Sequence, residues 1–136
     1  MDYKVHIGKD SMFNTPPVFA VYTSMLTLEW LKGLGGIEAI EKENFKKSRL
    51  MYSEIDLNPL FKGFAATADR STMNATFSLT DDKLKDTFDG MWKEAGINGL
   101  NGHRSVGGYR ASMYNALPLG SVEALVEVMS ELERKA

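Results

Sequence analysis

Residues 71 to 79 read STMNATFSL and alternate without a break: Met73, Ala75, Phe77 and Leu79 face one way, Thr72, Asn74, Thr76 and Ser78 the other. A period of two with one apolar side is the pattern of a half-buried β-strand. Such a strand needs a sheet to pair in and a layer to cover its apolar face, and the rest of the chain has the helical periods to build that layer. Residues 16–34 predict a first helix, with Thr15 as N-cap, Pro16 and Pro17 at its start, and Val18, Val21, Tyr22, Met25, Leu28 and Leu31 at core spacing. Phe19, Leu26 and Trp30 widen that stripe enough to imply burial on two sides. Gly35-Gly36 ends it, and a second helix is expected over residues 37–55, with Ile37, Ile40, Met51 and Ile55 inward and EKENFKK (41–47) solvated.

Thr80 is placed to cap a third helix, whose inner face is Leu84, Thr87, Phe88, Met91, Trp92 and Ala95 and which Gly96 ends. GLNG (99–102) is a candidate short strand. GYRASMY (108–114) reads as a further strand, its period separating Tyr109, Ala111 and Met113 from Arg110, Ser112 and Tyr114. A last helix over residues 122–134 buries Val122, Leu125, Val126, Met129 and Leu132. The first fifteen residues show no helical period and read as extended. The fold class is therefore α/β: a two-layer sandwich with helices packed on one face of a small, largely antiparallel sheet.

Bulk properties exclude several classes of function. A chain of 136 residues, 43% apolar and 25% charged, has the composition of one globular domain. PPVFAVYTSMLTLEWL, its longest apolar run, is broken by Thr23, Ser24, Thr27 and Glu29, short of a membrane span. A net charge of -2 gives no basic field for nucleic acid, and the absence of cysteine excludes disulfides and suits a reducing compartment. No metal-ligand spacing is present, since His6 and His103 stand far apart and Asp81-Asp82 reads as a helix start. Lone His103 has no evident triad partners, and no Walker-type phosphate loop occurs.

The chemistry concentrates in GHRSVGGYRAS (102–112), which holds two of the chain's five arginines and one of its two histidines. Each guanidinium can bind a carboxylate or phosphate through two parallel bonds, and a neighbouring histidine adds a third donor. Arg104 and Arg110 flank Gly107-Gly108, which suits a small ligand with two anionic groups. The same residues also read as a stiff turn with Arg104 paired to a surface carboxylate. Asn14 and Thr15, ahead of a helix N-terminus, read either as an anion site or as a simple cap.

Three segments taken together, SMFNTPP, STMNATF and GHRSVGGYRASMYNALP, resemble in that order the C-terminal part of the phosphoserine aminotransferases, pyridoxal 5'-phosphate enzymes of the class V aminotransferase group. The resemblance covers nearly the whole chain. It implies that residues 1–15 are the tail of a large domain and 16–136 the small domain of a cytoplasmic homodimer that makes phosphoserine from glutamate and 3-phosphohydroxypyruvate. It implies that Arg110 holds the substrate α-carboxylate, His103 and Arg104 the substrate phosphate, and Asn14 and Thr15 the cofactor phosphate across the dimer interface. Tyr109 stands where the family often has Met, and Ala75-Thr76 where Val-Pro is common. The cofactor-linking lysine belongs to the large domain, so the chain is expected to carry no catalytic residue and to be inactive alone. A free-standing module that binds a small phosphorylated amino acid is the alternative.

Overall fold

A computed structural model describes residues 2–104 and 107–136, which divide into two compact units, one ending at Ala39 and the other spanning Ile40–Ala136. In the first unit Asp2 caps a short helix, α1 (Tyr3–Ile7), its carboxylate accepting from the Lys4 amide at 3.0 Å. This corrects the expectation of an extended start: one capping carboxylate satisfies an orphan donor and holds a single helical turn. Helix α2 (Val18–Gly33) begins two residues later than expected, with Pro17 at its N-cap and no side-chain cap. The cause is the proline pair. The Pro17 ring disfavours the helical region for Pro16, so the helix starts only after it, and Thr15 is left outside.

The α2 helix has no buried residue, whereas its sequence predicts burial on two sides. Phe19, Leu28 and Val18 are exposed along it, because nothing in the first unit lies over them. Its hydroxyls turn inward on the helix itself, Thr23 Oγ1 donating to the Phe19 carbonyl, Ser24 Oγ to Ala20 and Thr27 Oγ1 to Thr23. Gly35 and Gly36 then adopt positive φ, and α3 (Gly36–Leu57) follows.

The second unit contains the core. Strand β1 (Phe61–Gly63), β2 (Asn74–Leu79) and β3 (Tyr109–Ser112) form an antiparallel sheet in the order β1-β2-β3. Helix α4 (Lys85–Glu94) and α5 (Leu119–Lys135) pack with α3 on the apolar face, and Met51, Phe77, Phe88, Trp92, Ala111 and Met129 lie at its centre. The two-layer sandwich read from the sequence is the architecture found. Phe77 faces Tyr109 across the β2–β3 pair and Ala75 faces Ala111, while Thr76 opposite Arg110 and Asn74 opposite Ser112 line the other face. Strand β1 was not anticipated, since three residues including a glycine carry no readable period.

Two further differences concern caps and charges. Asp81, not Thr80, caps the short turn Asp82–Leu84 that leads into α4, through its bond from the Lys83 amide, while the Thr80 hydroxyl donates to Pro59. Along EKENFKK, Asn44 and Lys47 are buried rather than solvated, and Ile37 is exposed rather than inward. Lys47 Nζ donates to the carbonyls of Met113 at 3.2 Å, Tyr114 at 2.7 Å and Leu117 at 3.1 Å, spending all three ammonium protons on the segment after β3. Burial drives its pKa below the ordinary lysine value, with Glu43 partly opposing.

Candidate functional site

The GHR and GYR elements form the two arms of one hairpin. The Arg110 amide donates to the Leu100 carbonyl at 2.7 Å, the Gly102 amide to Gly108 at 2.9 Å, and Asn101 bridges Tyr109. Across the turn the Gly107 amide donates to the His103 carbonyl at 2.8 Å. Instead of a second strand at GLNG there is thus a single bridge, extended by the two flanking bonds; Gly99, with φ of 73°, bends the chain just ahead of it. The intervening Ser105 and Val106 lie outside the described residues.

Two glycines of the hairpin are required by geometry. A Cβ at Gly102 would stand 2.1 Å from the Gly107 carbonyl oxygen, and one at Gly108 would stand 2.6 Å from that of Phe77, where the backbone also has φ of 63°. Side chains cannot enter either place. The chain can therefore fold back closely enough to carry His103 and Arg104 on the turn and Arg110 on the adjoining strand. All three side chains are exposed. Among the described residues neither Arg104 nor Arg110 forms an ion pair, so both guanidiniums keep their donors for an external anion. Spacing left the paired-arginine reading of Arg104 open, and no such pair is found among the described residues. Asn14 and Thr15 belong to the other unit, exposed and ahead of α2.

Beneath the hairpin lies a polar cluster the sequence did not reveal. Asp89 on α4 receives the Tyr109 hydroxyl at 2.9 Å and Trp92 Nε1 at 3.1 Å on one oxygen, and Lys85 Nζ at 2.6 Å on the other. Burial pushes the Asp89 carboxyl up, but the bonds from Lys85, Tyr109 and Trp92 outweigh it and hold the group below its ordinary value. Burial first, and the Asp89 carboxylate next, push the Tyr109 hydroxyl well above the usual tyrosine range. The spacing of Lys85, Asp89 and Trp92 on one helix was a signal for their mutual contact; that with Tyr109 required the fold. A cavity of about 350 Å³ opens beside β3, with Arg110 and Ser112 on one side and Leu100, Leu117, Val122 and Leu125 among its apolar walls.

Residues 1–125 match the family described as Aminotransferase class-V. The chain belongs to that family. Among its relatives, the phosphoserine aminotransferase of Flavobacterium psychrophilum is 65% identical over 135 residues, covering 99% of this chain and 38% of that protein. The Flavobacterium johnsoniae protein of the same name is 61% identical, with the same coverage. A solved phosphoserine aminotransferase from Bacillus circulans subsp. alkalophilus superposes with a TM-score of 0.87 at 40% identity, over 98% of this chain and 37% of that one. This class-V aminotransferase chain thus spans 38% of the length of the relatives first matched.

The described residues of the aminotransferase chain hold no group of three or more His, Asp or Glu arranged for a metal, and no helix long and apolar enough to cross a membrane. Of its eleven lysines, Lys47 is buried and committed to three carbonyls, and the other ten are exposed. None of them lines the cavity beside β3. Asn14 and Thr15 are different: exposed and without a hydrogen bond among the described residues, they are fit to receive a phosphate.

Proposed function

We propose that this chain is the C-terminal part of a phosphoserine aminotransferase, which transfers an amino group from glutamate to 3-phosphohydroxypyruvate and yields 2-oxoglutarate and 3-phosphoserine. The observation that carries the reading is the hairpin. It presents His103 beside Arg104 and Arg110, two arginines without an ion pair among the described residues, held by glycines that admit no side chain, in a chain 65% identical to a protein of that name.

The roles follow from the chemistry of the donors. Arg110, on a strand paired on both edges, offers a planar fork to the α-carboxylate that glutamate and phosphoserine share. Arg104 and His103, on the turn, take the phosphate that phosphoserine has and glutamate lacks. Pyridoxal phosphate, when bound in the whole enzyme, supplies the carrier that receives and returns the amino group. Asn14 and Thr15 would hold its phosphate, reaching it from the neighbouring subunit of a cytoplasmic homodimer. In this reading residues 1–15 are the tail of the large domain and residues 16–136 the small domain, whose sheet and buried core lie within Ile40–Ala136.

With no lysine placed for the cofactor, the chain by itself binds anions but does not transaminate. Added pyridoxal phosphate should give no turnover with it, and substantial turnover would refute the reading. In the whole enzyme, Arg110→Ala should lower kcat/KM in both half-reactions by roughly 1.5–3 kcal/mol, the worth of a charge-assisted contact. Arg104→Ala should weaken the phosphoserine half-reaction by a similar amount and spare glutamate; equal losses on both substrates would contradict its phosphate role.

A further inference from the structure

We propose that Asp89 is a positioning residue for the anion-binding hairpin, acting through the hydroxyl of Tyr109. The proposal rests on the reading of Arg110 as a carboxylate ligand, and adds to it a residue on another element that sets where Arg110 stands.

Tyr109 stands where strand and hairpin meet. Its backbone pairs with Phe77 of β2 on one side and bridges Asn101 of the opposite arm on the other, and the next residue is Arg110. Its ring is stacked on Phe77, with centroids 5.5 Å apart, and meets Phe88 edge-on at 5.0 Å. Ring contacts of this kind are numerous but shallow, and a small slide of the ring changes their sum little. A hydroxyl donating to a carboxylate is different, because its strength depends on length and direction. The Asp89 bond therefore fixes the coordinate that ring packing leaves soft, the displacement of Tyr109 relative to α4.

Asp89 is itself held for this task. Its Oδ1 accepts from both Tyr109 and Trp92, whose ring is buried, and its Oδ2 from Lys85 one helical turn earlier. With three donors on two oxygens the carboxylate cannot rotate freely, so the position of α4 is passed to β3 through one directional contact. A two-pronged guanidinium–carboxylate contact tolerates displacements of only about 0.5 Å. Loss of the tyrosine hydroxyl thus has a larger effect on ligand affinity than on the packed core, where every carbon of the ring remains.

The test compares Tyr109→Phe, Asp89→Ala, Asp89→Asn and Arg110→Ala in the whole enzyme, with KM and kcat for glutamate and phosphoserine and the unfolding midpoint of each. Tyr109→Phe, which keeps the ring and removes one oxygen, should raise KM for both substrates roughly two- to ten-fold, the factor for one lost hydrogen bond, with kcat little changed. Asp89→Ala should do the same. Asp89→Asn keeps an acceptor for the hydroxyl and should recover most of the loss, and Tyr109→Phe with Asp89→Ala should be no worse than either single change. Unchanged KM in Tyr109→Phe, or Asn no better than Ala at position 89, would overturn the proposal. If Arg110→Ala raises KM while Tyr109→Phe does not, the positioning role alone fails. If Arg110→Ala also leaves KM unchanged, the carboxylate role of Arg110 fails and the positioning role with it.

Discussion

Single atoms decide several of the positions described. Gly102 is the sharpest case, because a methyl group there would overlap the Gly107 carbonyl oxygen, a backbone atom that cannot step aside without opening the turn. Gly102→Ala should cost about 1–3 kcal/mol, the range for forced overpacking, read as a lowered urea midpoint, and it should displace the histidine and arginine that follow. Lys47 makes the opposite kind of argument. Lys47→Met keeps most of the side-chain volume but removes the donor from the carbonyls of Met113, Tyr114 and Leu117, of which only Tyr114 keeps another, the Leu117 amide. A loss of about 2–4 kcal/mol is expected from those unsatisfied acceptors, measurable by denaturant unfolding; a neutral result would show that water replaces the ammonium. Arg104 and Arg110 were legible as candidate anion ligands because two guanidiniums flank one glycine turn. Lys47 was not, since a lysine among glutamates in a helix reads as surface, and only the return of residues 113–117 over α3 makes it interior.

Between elements, the same contrast holds. Helices α3, α4 and α5 and strands β2 and β3 were legible because each has a period long enough to count, with apolar residues on one side. Phe77, Ala75, Tyr109 and Ala111 fell on the buried face as their alternation required. Strand β1 was hidden by its length, and the bond of Asp89 to Tyr109 by the separation of its partners along the chain. The long connection between β1 and β2 is tied to α3 by Arg70, which donates two bonds of 2.6 Å to Asp56 and lies 4.5 Å over the Tyr52 ring. The Arg70 guanidinium holds the Asp56 carboxyl below its ordinary value. A depressed carboxyl adds stability above its unfolded pKa of about 3.9, and that contribution disappears as pH falls through the lower folded value. Wild type should therefore be more stable than Asp56→Asn near neutrality, with the gap closing only below about pH 4. Unfolding midpoints over that range would show it, and a gap independent of pH would assign the bond to shape rather than charge.

At the scale of the molecule, the two units differ in kind. One has a closed core; the other presents a helix that is apolar around its circumference and whose hydroxyls are bonded to its own carbonyls. Its sequence announced a surface meant to be covered, and none of its residues is buried. The isolated chain should accordingly associate with rising concentration, since large exposed apolar patches drive association. Replacing Phe19 and Leu28, both largely exposed, with glutamate should shift sedimentation toward the monomer without lowering the unfolding midpoint of the second unit. Unchanged association would place the sticky surface elsewhere.

The exposure of α2 also has a consequence for biosynthesis. The ribosome delivers residues 18–33 before Ile40–Ala136, so the most apolar segment of the chain emerges while the sheet that follows is still unmade. At translation speeds of about 5–20 residues per second, those later residues take several seconds to follow, and in the finished chain α2 still has no buried residue. A helix whose hydroxyls bond its own carbonyls can form in that interval, and its exposed apolar side chains are then what a nascent-chain chaperone meets first.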